Sequence, residues 1–504
     1  MVLSDDNRIR QSNFKPYLIN PGGIFLDKKE RIYKTLSQIV GDEKWVSNSP
    51  VDCWAYSYDM TYKRPQMPNY VVLPKTPEEI QSILRLANAE KIPVVPFTAG
   101  TNIGGLCVPE QGGILMDLKR MDEILEINEE VRFAVIEPGV SQAQFAQELF
   151  KRGYRFGWPV GPPSASVLAC AIHHGIGGMS GRYGLNSNHI TGMEVVRPTG
   201  EILMCGSPAI RRDSWQSCMP LPRFDGLFTG TLGTTGVVTK LGVFIPPVPD
   251  YVHIGTFAAD DLTDMEKFMR TFSKYEYADD LTAISWWLSQ VPIPYPYVEK
   301  PKGAPEWTGY TVLYAFTEKE LENKIDVFNK VIKDLGKQGN TIKSTDVPEE
   351  SKRGRTQLPS QIVGSTKNYC KMGGGGIAWP GTFTPSNRWV AVYNLWKEIY
   401  TKKAKIPLSP STRVTMYRGC HYGMLRIMTP FPRDRPEEEA NAAWCVREAA
   451  KVLIDAGGIP YKPPTDFARE INKRADPGWI DLICDIKDML DPNGIMNPGK
   501  WGVR

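Results

Sequence analysis

Three glycine-rich segments in the first half of the chain constrain its fold more than any other feature of the sequence. The first, residues 94–105 (VVPFTAGTNIGG), is a short apolar run that leads directly into a glycine loop. It has neither the GxGxxG spacing of a Rossmann turn nor the GKS/T ending of a phosphate loop. A glycine loop between two strands can instead bind a pyrophosphate through successive backbone N–H groups, without a helix N-terminus.

Two further glycine-rich segments strengthen this interpretation. Residues 161–196 (GPPSASVLACAIHHGIGGMSGRYGLNSNHITGMEVV) and residues 225–249 (DGLFTGTLGTTGVVTKLGVFIPPVP) each combine small residues with a predicted strand. Three such loops in one region predict a long ligand that lies along a crevice, and a dinucleotide is the obvious candidate. The residues predicted to line it in these two segments are Pro163, Ser164, Ser166, Ala171, Gly175, Gly178 and Val237.

Residues 70–245 alternate strand-like runs with helical patterns, which is typical of an α+β domain. Thr76 is a predicted N-cap, and the apolar stripe Ile80, Ile83, Leu84 and Ala87 follows it at helical spacing. A second helix is predicted to begin after Ser141 and to end at Gly153. At 504 residues the chain is too long for one hydrophobic core, so several domains are expected.

The bulk composition excludes several classes of protein. A net charge of +4 with 23% charged residues gives no reason to expect binding to nucleic acid or to an anionic membrane. The nine cysteines form no CxxC pair, and their odd number disfavours a disulfide framework. The sequence shows no signal peptide, membrane-spanning run or metal-ligand spacing, and the adjacent His173 and His174 are interpreted as structural. We expect a cytoplasmic protein, with the periplasm as the alternative.

The order of these motifs resembles the FAD domain of the vanillyl-alcohol oxidase/p-cresol methylhydroxylase flavoproteins. The likeness runs from about Tyr70 through ILMDLKRM, AVIEPGV, PPSAS, GMEVV and DGLFTGTLGTTGVVTKLG to the closing DPNGIMNPGKWG. It implies FAD as cofactor and identifies TAGTNIGG as the loop that binds the FAD pyrophosphate. The residues concerned are Thr98, Ala99, Gly100, Thr101, Asn102, Ile103 and Gly104.

The resemblance also implies the domain organisation. We expect an α+β fold in which a two-subdomain FAD-binding domain is joined to an α/β cap domain with an antiparallel sheet, and C-terminal helices return to the FAD domain. The predicted boundaries are an N-terminal segment at 1–69, the FAD-binding domain at 70–248, the cap or substrate domain at 249–455 and a returning C-terminal segment at 456–504. The proline-rich PPVPD at 246–250 marks the change in composition between the two domains.

Three more functional residues follow from the resemblance. Tyr369, in NYCKMGGGGIAW, matches a tyrosine that is joined covalently to the flavin 8α-methyl group, and the alternative is a tyrosine that lines the flavin without a bond to it. His421, in YRGCHYGM, matches an active-site histidine that would take or relay the substrate proton. Lys500, in NPGKWG, matches a basic residue at the flavin N1/C2 edge, where a cation stabilises the reduced flavin.

The predicted substrate site departs from the family pattern. Phenol-oxidising members bind the phenolate with two tyrosines and an arginine, but the expected Tyr-Arg pair is Tyr461-Lys462 here. Lysine keeps the positive charge and loses the planar fork. The second tyrosine is Tyr56, Tyr58 or Tyr62, and Tyr56 is the one we select.

The leading prediction is that the protein dehydrogenates a 4-alkylphenol by hydride transfer to flavin N5, giving a quinone methide that water converts to an alcohol. The alternatives are a 2-hydroxy-acid dehydrogenase, in which Lys462 or Arg418 binds a carboxylate and His421 takes the hydroxyl proton, and a flavin electron-transfer subunit. The implied partners are a small phenolic substrate, a cytochrome c or another electron-acceptor protein, and a second copy or other subunit in a homodimer or hetero-oligomer.

Overall fold

A four-stranded sheet opens the fold and carries the first glycine loop. The computed structural model describes residues 27–102, 104–157, 161–289, 300–348, 352, 376–400, 411–431, 433 and 435–502. In the order β1-β2-β4-β3, the sheet pairs β1 antiparallel with β2, while β4 runs parallel to both β2 and β3. Its elements in chain order are α1 (Lys28–Val40), β1 (Val46–Ser47), α2 (Pro50–Ala55), β2 (Tyr70–Val72), α3 (Pro77–Glu90), β3 (Val94–Phe97) and β4 (Ile114–Asp117).

Helix α3 forms as the sequence predicts. The Thr76 side chain accepts a hydrogen bond from the amide of Glu79, and the Glu79 carboxylate accepts one from the amide of Lys75. These two bonds satisfy backbone donors that a helix start otherwise leaves unpaired. The stripe of Ile80, Ile83, Leu84 and Ala87 is fully buried in the core of the first sheet.

The second sheet is antiparallel, with the order β5-β6-β9-β7-β8. Its apolar core is covered by α4, whose N-cap Ser141 is the predicted one, and by α5. The elements are β5 (Ile124–Asn128), β6 (Phe133–Ile136), α4 (Gln142–Lys151), α5 (Val167–Ile172), α6 (Ser180–Tyr183), β7 (Ile190–Val196), β8 (Ile202–Gly206) and β9 (Val237–Phe244).

The third sheet has nine strands within the described residues and forms the cap domain. Its order is β13-β10-β12-β11-β16-β17-β15-β18, with β14 paired to β17, and every pairing is antiparallel. The elements are β10 (Tyr251–Ala259), α7 (Leu262–Ser273), β11 (Ala278–Ser285), α8 (Trp286–Ser289), β12 (Trp307–Ala315), α9 (Glu318–Gly336), β13 (Lys343–Thr345), β14 (Gly376–Ala378), β15 (Gly381–Phe383), α10 (Trp389–Glu398), β16 (Ser411–Tyr417), β17 (Tyr422–Phe431), α11 (Pro436–Asp455), β18 (Ile459–Pro460), α12 (Thr465–Asn472) and α13 (Pro477–Leu490).

The two faces of the cap sheet differ in their side chains. One face packs apolar residues such as Leu281, Val414 and Leu425 into the largest core of the described chain, against helices that include α7 and α10. The strands alternate, so the neighbouring residues on β16 and β17, including Tyr417 and Arg426, point to the opposite face. That face is turned towards the FAD-binding part, because β11 and β16 contact α6. A buried ion pair of 2.7 Å between Arg155 and Asp279 joins the two parts.

At each of the two outer domain boundaries that the sequence predicts, a strand on one side of the boundary pairs with a strand on the other side. Strand β1 precedes the boundary at 69 and belongs to the first sheet, and β18 follows the boundary at 455 and belongs to the cap sheet. After α13 the chain returns to the first sheet, where the amide of Val94 donates to Ile495 O (2.7 Å) and the amide of Asn497 donates to Val94 O (2.8 Å). The α+β architecture with an antiparallel cap sheet is therefore confirmed. Within the described residues no helix combines the length and the apolar character needed to cross a bilayer.

Candidate functional site

The first glycine loop follows β3 and leaves a group of backbone donors open. The amide of Gly104 donates to Asn102 Oδ1 (2.6 Å), and the amide of Gly105 donates to Asp59 Oδ2 (2.7 Å). No acceptor within the described residues takes the amides of 99–102, and these residues are only half-buried. The amides available to a pyrophosphate are therefore those of 99–102, while Gly104 and the Asn102 side chain fix the shape of the loop.

Gly105 has to be glycine for a packing reason as well as a conformational one. Its φ is +71, and a Cβ there would lie 2.6 Å from Cδ of the Lys63 side chain. A positive φ strains other residues, and the approach of Lys63 leaves no space for a side chain. The loop is thus pressed against the segment that precedes β2.

Residues 497–501 tie the first glycine loop to the third. Lys500 is buried, and its Nζ donates to Gly105 O (2.9 Å), Val108 O (3.2 Å) and Glu110 Oε1 (2.9 Å). Asn497 Nδ2 bonds the carbonyls at 106 and 232, and Trp501 Nε1 donates to the carbonyl at 230. The ammonium of Lys500 therefore uses its three N–H groups within the protein. Its predicted contact with a flavin would act through charge alone.

The second glycine segment contributes mainly to folding. Ser166 Oγ donates to Pro138 O (2.6 Å) and accepts from the Ala169 amide (3.1 Å), so this hydroxyl caps α5. Ala171 and Val237 lie in apolar cores with at most 1% of their surface exposed. The side chains of these three residues are enclosed by protein, so their contact with the cofactor, which stays a prediction, would be made by backbone groups.

The other predicted residues of this segment differ in their surroundings. The carbonyl of Pro163 accepts from the Ala143 amide (3.0 Å), while Ser164 is exposed at the turn. A Cβ on Gly175 would lie 2.1 Å from Cys170 Sγ, so this glycine permits the close return of the chain after α5. A Cβ on Gly178 would meet nothing within 4 Å. Gly178 therefore borders open space, as a position that a ligand approaches must.

The three glycine segments meet around one crevice. Cβ atoms placed on Gly230 and Gly233 would lie 2.8 Å from His174 Nε2 and 3.3 Å from Pro96 Cγ, which joins the third segment to the second and the first. A Cβ on Gly104 would lie 3.6 Å from the carbonyl oxygen of Lys462, so the crevice also borders the predicted substrate residues. The crevice offers unpaired main-chain N–H groups, and glycines stand where its loops come close together. These features fit an extended dinucleotide such as FAD.

Tyr461 lies in a cluster of aromatic side chains on the inner face of the cap sheet. The ring centroid of Phe383 is 5.4 Å from that of Tyr461 and 6.4 Å from that of Tyr417, and Trp379 is 6.3 Å from Tyr461. Tyr422 packs against both Phe383 and Tyr417, at 5.7 and 5.3 Å. Strands β15, β16, β17 and β18 together position these rings, which we call the aromatic cluster.

Two cations border the aromatic cluster. The guanidinium carbon of Arg426 lies 3.8 Å from the ring centroid of Trp379 and 5.8 Å from that of Tyr461, and Lys462 Nζ lies 5.0 Å from the Tyr461 ring. The hydroxyl of Tyr417 is buried and has no hydrogen-bond partner. Burial raises the pKa of Tyr417 well above its ordinary value, so this hydroxyl stays protonated. A buried donor without an acceptor, close to two cations, suits an anionic oxygen of a ligand.

The structure does not bring Tyr56 to this cluster, which corrects the prediction. Tyr56 OH donates to Asp117 Oδ2 (2.8 Å) and accepts from Lys119 Nζ (2.9 Å), at the end of β4. The other two candidates are also elsewhere: Tyr62 donates to Asp466 Oδ2 (2.7 Å), and Tyr58 is half exposed. The physical reason is local, because these two hydrogen bonds hold Tyr56 at the first sheet while Tyr62 of the same segment reaches α12.

His421 and Arg418 are likewise outside the aromatic cluster. Both occupy the turn between β16 and β17, and both are exposed. Arg418 has a φ of +44 and its amide donates to Gly181 O (2.8 Å), so the turn docks on α6. A Cβ on Gly184 would lie 3.2 Å from Arg418 Cδ, and the ring centroid of His421 is 5.7 Å from that of Tyr422. Their action on the substrate stays a prediction.

Sequence reasoning missed Tyr417 and Arg426. Tyr417 stands directly before Arg418 in the segment that was singled out, but as the last residue of β16 it points inward. Arg426 lies on β17 and supplies the arginine that the Tyr461-Lys462 pair lacks. The alternating pattern of β17, in which Met424, Arg426 and Met428 share one face, is the signal that places Arg426 on the inner side.

Two predicted cofactor residues, Ile103 and Tyr369, lie outside the described residues. Within the described part of the chain, no group of three or more His, Cys, Asp or Glu side chains is arranged to hold a metal ion. The site as described is therefore built from backbone amides, aromatic rings and cationic side chains.

Two family models match the chain. Residues 68–206 match the FAD binding domain, and residues 302–501 match the C-terminal domain of FAD linked oxidases. The first covers the first glycine loop and the whole of the second glycine-rich segment. The second covers most of the cap sheet, the aromatic cluster and residues 497–501.

Three curated relatives differ in what their names describe. The chain is 24% identical to the 4-cresol dehydrogenase (hydroxylating) flavoprotein subunit of Pseudomonas putida over 86% of this chain and 88% of that protein. It is 28% identical to a probable mitochondrial D-lactate dehydrogenase of Danio rerio over 94% of this chain and 91% of that protein. It is 32% identical to the glycolate oxidase subunit GlcD of Bacillus subtilis, over only 44% of this chain and 45% of that subunit.

A solved structure of p-cresol methylhydroxylase with substrate bound matches the whole architecture. The TM-score is 0.79 at 22% identity, and the match covers 94% of this chain and 96% of that chain. The two chains therefore share one fold, and the two matching family models, which together cover most of the chain, show that this chain belongs to the FAD-linked oxidases, a family of FAD-dependent oxidoreductases.

Proposed function

We propose that the protein dehydrogenates a phenol with a para alkyl group at the benzylic carbon. The observation that carries this proposal is the buried, unpartnered hydroxyl of Tyr417 in the aromatic cluster, beside Tyr461 and Arg426. Aromatic walls suit a phenol ring, and a protonated Tyr417 can donate to a phenolate oxygen. The relative named 4-cresol dehydrogenase supports the same substrate class.

Charge at the aromatic cluster is the main contribution of the chain to this reaction. Arg426 and Lys462 favour the phenolate over the phenol, because a nearby cation stabilises the ionised form. Ionisation pushes electron density from the oxygen into the ring and makes the benzylic C–H a better hydride donor. The guanidinium of Arg426 stacks on Trp379 and is held in place before a substrate arrives.

FAD, when bound, supplies the acceptor for the hydride, which no side chain can provide. The amides of 99–102 would hold its pyrophosphate, and residues 497–501 would keep the first and third glycine loops in position. Loss of hydride converts the substrate to a quinone methide, and addition of water at the benzylic carbon gives the alcohol. The chain orients the phenol through Tyr417, Tyr461 and the two cations.

A 2-hydroxy acid is the second candidate substrate. The full-length similarity to a protein named probable D-lactate dehydrogenase favours it, and Arg426 with Lys462 would bind a carboxylate. Two features favour the phenol instead. The aromatic cluster offers more ring surface than a small hydroxy acid needs, and His421, the predicted base for the hydroxy acid, is exposed.

Anaerobic reduction of the purified holoprotein distinguishes the candidates. We expect 4-ethylphenol to bleach the absorbance band of the oxidised flavin at about 450 nm. D-lactate and glycolate should leave this band unchanged. Bleaching by the hydroxy acids alone would establish the second candidate. Bleaching by neither class would favour the third prediction, an electron-transfer subunit. The exposed-turn variant His421→Gln is the matched control and should behave as the wild type.

The covalent flavin link at Tyr369 and the acceptor protein are part of the same proposal. We infer an 8α-O-tyrosyl bond at Tyr369 and a cytochrome c or another protein as electron acceptor, with assembly as a homodimer or hetero-oligomer. The relative named a flavoprotein subunit supports a partner subunit, and the link at Tyr369 rests on the resemblance of its sequence segment.

A further inference from the structure

Two arginines are direct neighbours on the inner face of the cap sheet. Arg413 of β16 and Arg426 of β17 are partners in the antiparallel register, so their Cβ atoms are about 5 Å apart. Both side chains are half-buried. Like charges placed directly opposite each other destabilise a sheet, so this pair indicates a place where an anion binds.

The two guanidinium groups reach to opposite sides. Arg426 stacks on Trp379, which precedes β15, with its Cζ 3.8 Å from the ring centroid. Arg413 reaches β11, where its Nη2 donates to Thr282 Oγ1 (3.3 Å). The sheet order is β11-β16-β17-β15 here, so the two contacts are separated by three strand spacings, or about 14 Å. The inner face therefore has two separate cationic ends.

The Arg426 end is the one that holds the phenol in the proposed function. A Cβ on Gly381 would lie 3.8 Å from both Arg426 Cγ and Tyr461 Cδ1, so no side chain separates Arg426 from the Tyr461 ring. Lys462 Nζ lies 5.0 Å from the same ring. Two cations at this end are sufficient to balance one phenolate, and the charge of Arg413 has no role in that reaction.

The Arg413 end is lined by polar groups. Thr282 Oγ1, which Arg413 contacts, is 3.2 Å from Thr415 Oγ1 and donates to Asp280 Oδ1 (2.7 Å). Tyr310 OH donates to the second oxygen of Asp280 (3.0 Å). Both oxygens of this carboxylate thus receive hydrogen bonds from hydroxyl groups.

Acidic side chains are scarce on the cap sheet. Its described strands carry two of them, Asp279 and Asp280. Asp279 pairs with Arg155 of the FAD-binding part (2.7 Å). On these strands, one carboxylate is therefore left to balance Arg413 and Arg426, and a ligand with a second negative charge would improve the balance.

The next inference deepens the proposed function and rests on it. We propose that the Arg413 end binds a carboxylate on the para side chain of the phenol, so that the substrate is a 4-hydroxyphenyl acid such as 3-(4-hydroxyphenyl)propanoate. A guanidinium binds a carboxylate through two parallel N–H donors, and the Thr415 hydroxyl supplies a further donor. The phenol oxygen then lies at the Arg426 end, with the benzylic carbon between the two ends.

Two phenols of equal chain length test the proposal in anaerobic reduction of the holoprotein. 3-(4-Hydroxyphenyl)propanoate has a carboxylate where 4-propylphenol has a methyl group. We expect the second-order rate constant of flavin reduction in the wild type to be at least about tenfold higher with the acid, because the carboxylate adds hydrogen bonds to a charged group. Arg413→Gln should lower the ratio of the two rate constants by at least about tenfold, and Arg413→Lys should keep part of it. Arg152→Gln, on the exposed side of α4, is the matched control and should keep the whole ratio.

A charge reversal distinguishes recognition from a structural role. Tyramine carries an ammonium group on a chain of similar length. We expect Arg413→Glu to react about tenfold faster with tyramine than the wild type does, because attraction replaces repulsion. A variant that is only damaged would instead lose rate with every phenol, which would overturn the role of Arg413.

The outcomes separate this inference from the proposed function. A wild type that oxidises 4-propylphenol as fast as the acid would overturn the inference and leave the proposed function intact. A preference for the acid that persists in Arg413→Gln would overturn the role of Arg413. Reduction by neither phenol would refute the proposed function, and the inference with it.

Discussion

Removing the charge of Glu110 should loosen the cofactor crevice. The Glu110 carboxylate receives hydrogen bonds from Lys63 Nζ (2.5 Å), Lys500 Nζ (2.9 Å) and Thr465 Oγ1 (2.8 Å). Glu110→Gln keeps the size and an acceptor oxygen but leaves the buried Lys500 without its counter-charge. Breaking a buried pair in this way costs more than losing an exposed one.

The pKa of Glu110 gives the magnitude. Burial opposes ionisation, but Lys500 and Lys63 lower the pKa of Glu110 from 4.5 to about 2. At about 1.4 kcal/mol for each unit of pKa, this corresponds to about 3.5 kcal/mol in the free energy of unfolding, and to about 2 kcal/mol after screening on the exposed side of the carboxylate. For a domain of about 200 residues, the expected fall in Tm is about 4–8 °C.

The pH dependence follows from the direction of the shift. A carboxyl group whose pKa is lower in the folded than in the unfolded state stabilises the fold fully above about pH 4.5, and this contribution disappears as the pH falls towards 2. The difference in Tm between wild type and Glu110→Gln should therefore be complete at pH 7 and smaller at pH 3.

Flavin fluorescence during a thermal ramp at a fixed scan rate measures both unfolding and cofactor release, since unfolding of a chain of this size is often irreversible. Glu148→Gln is the matched control, because Glu148 pairs with Lys151 and Arg152 on the exposed side of α4 and should leave the Tm unchanged. A wild-type Tm in Glu110→Gln at pH 7, or a difference that persists in full at pH 3, would refute the reasoning.

Three further variants test the site. Tyr417→Phe removes one donor to the phenolate and should lower kcat/KM for 4-ethylphenol by about tenfold or more, at a cost on the order of 1.5–3 kcal/mol for a bond to a charged group; an unchanged kcat/KM would exclude Tyr417 from the substrate site. Arg426→Met should weaken 4-chlorophenol binding more as the pH rises, because the lost cation stabilises the phenolate and not the neutral phenol; spectral titrations across pH measure this, and uniform weakening would contradict it. Tyr369→Phe should abolish the flavin fluorescence that otherwise survives on a denaturing gel, and a band that persists would place the link elsewhere.

Local patterns in the sequence were sufficient to predict several helices and the FAD cofactor. The caps at Thr76 and Ser141 and the apolar stripe of α3 depend on residues three or four positions apart, and the structure confirms them. The glycine loops were recognisable because the resemblance extends over several motifs in order. The substrate site was predicted less well. Tyr417 and Arg426 reach Tyr461 only through the pairing of β15, β16, β17 and β18, which no local pattern specifies.

The histidines illustrate the same limit. His421 lies four residues after an inward-pointing tyrosine, and a sequence motif does not tell whether the turn that carries it faces the substrate or the solvent. His173 was interpreted as structural because it adjoins a glycine loop. The charge of Lys462 lowers the pKa of His173, and only the fold brings these two distant parts of the chain close enough for that effect.

The bonds from Lys500 to the first glycine loop have a consequence for biosynthesis. A ribosome completes Gly105 long before it adds Lys500, which lies 395 positions later. Until that lysine has emerged, the early loop lacks the side chain that anchors its carbonyls, and Val94 lacks its neighbours at 495 and 497. Flavin uptake should accordingly be a post-translational event, and nascent chains stalled before this segment should remain colourless.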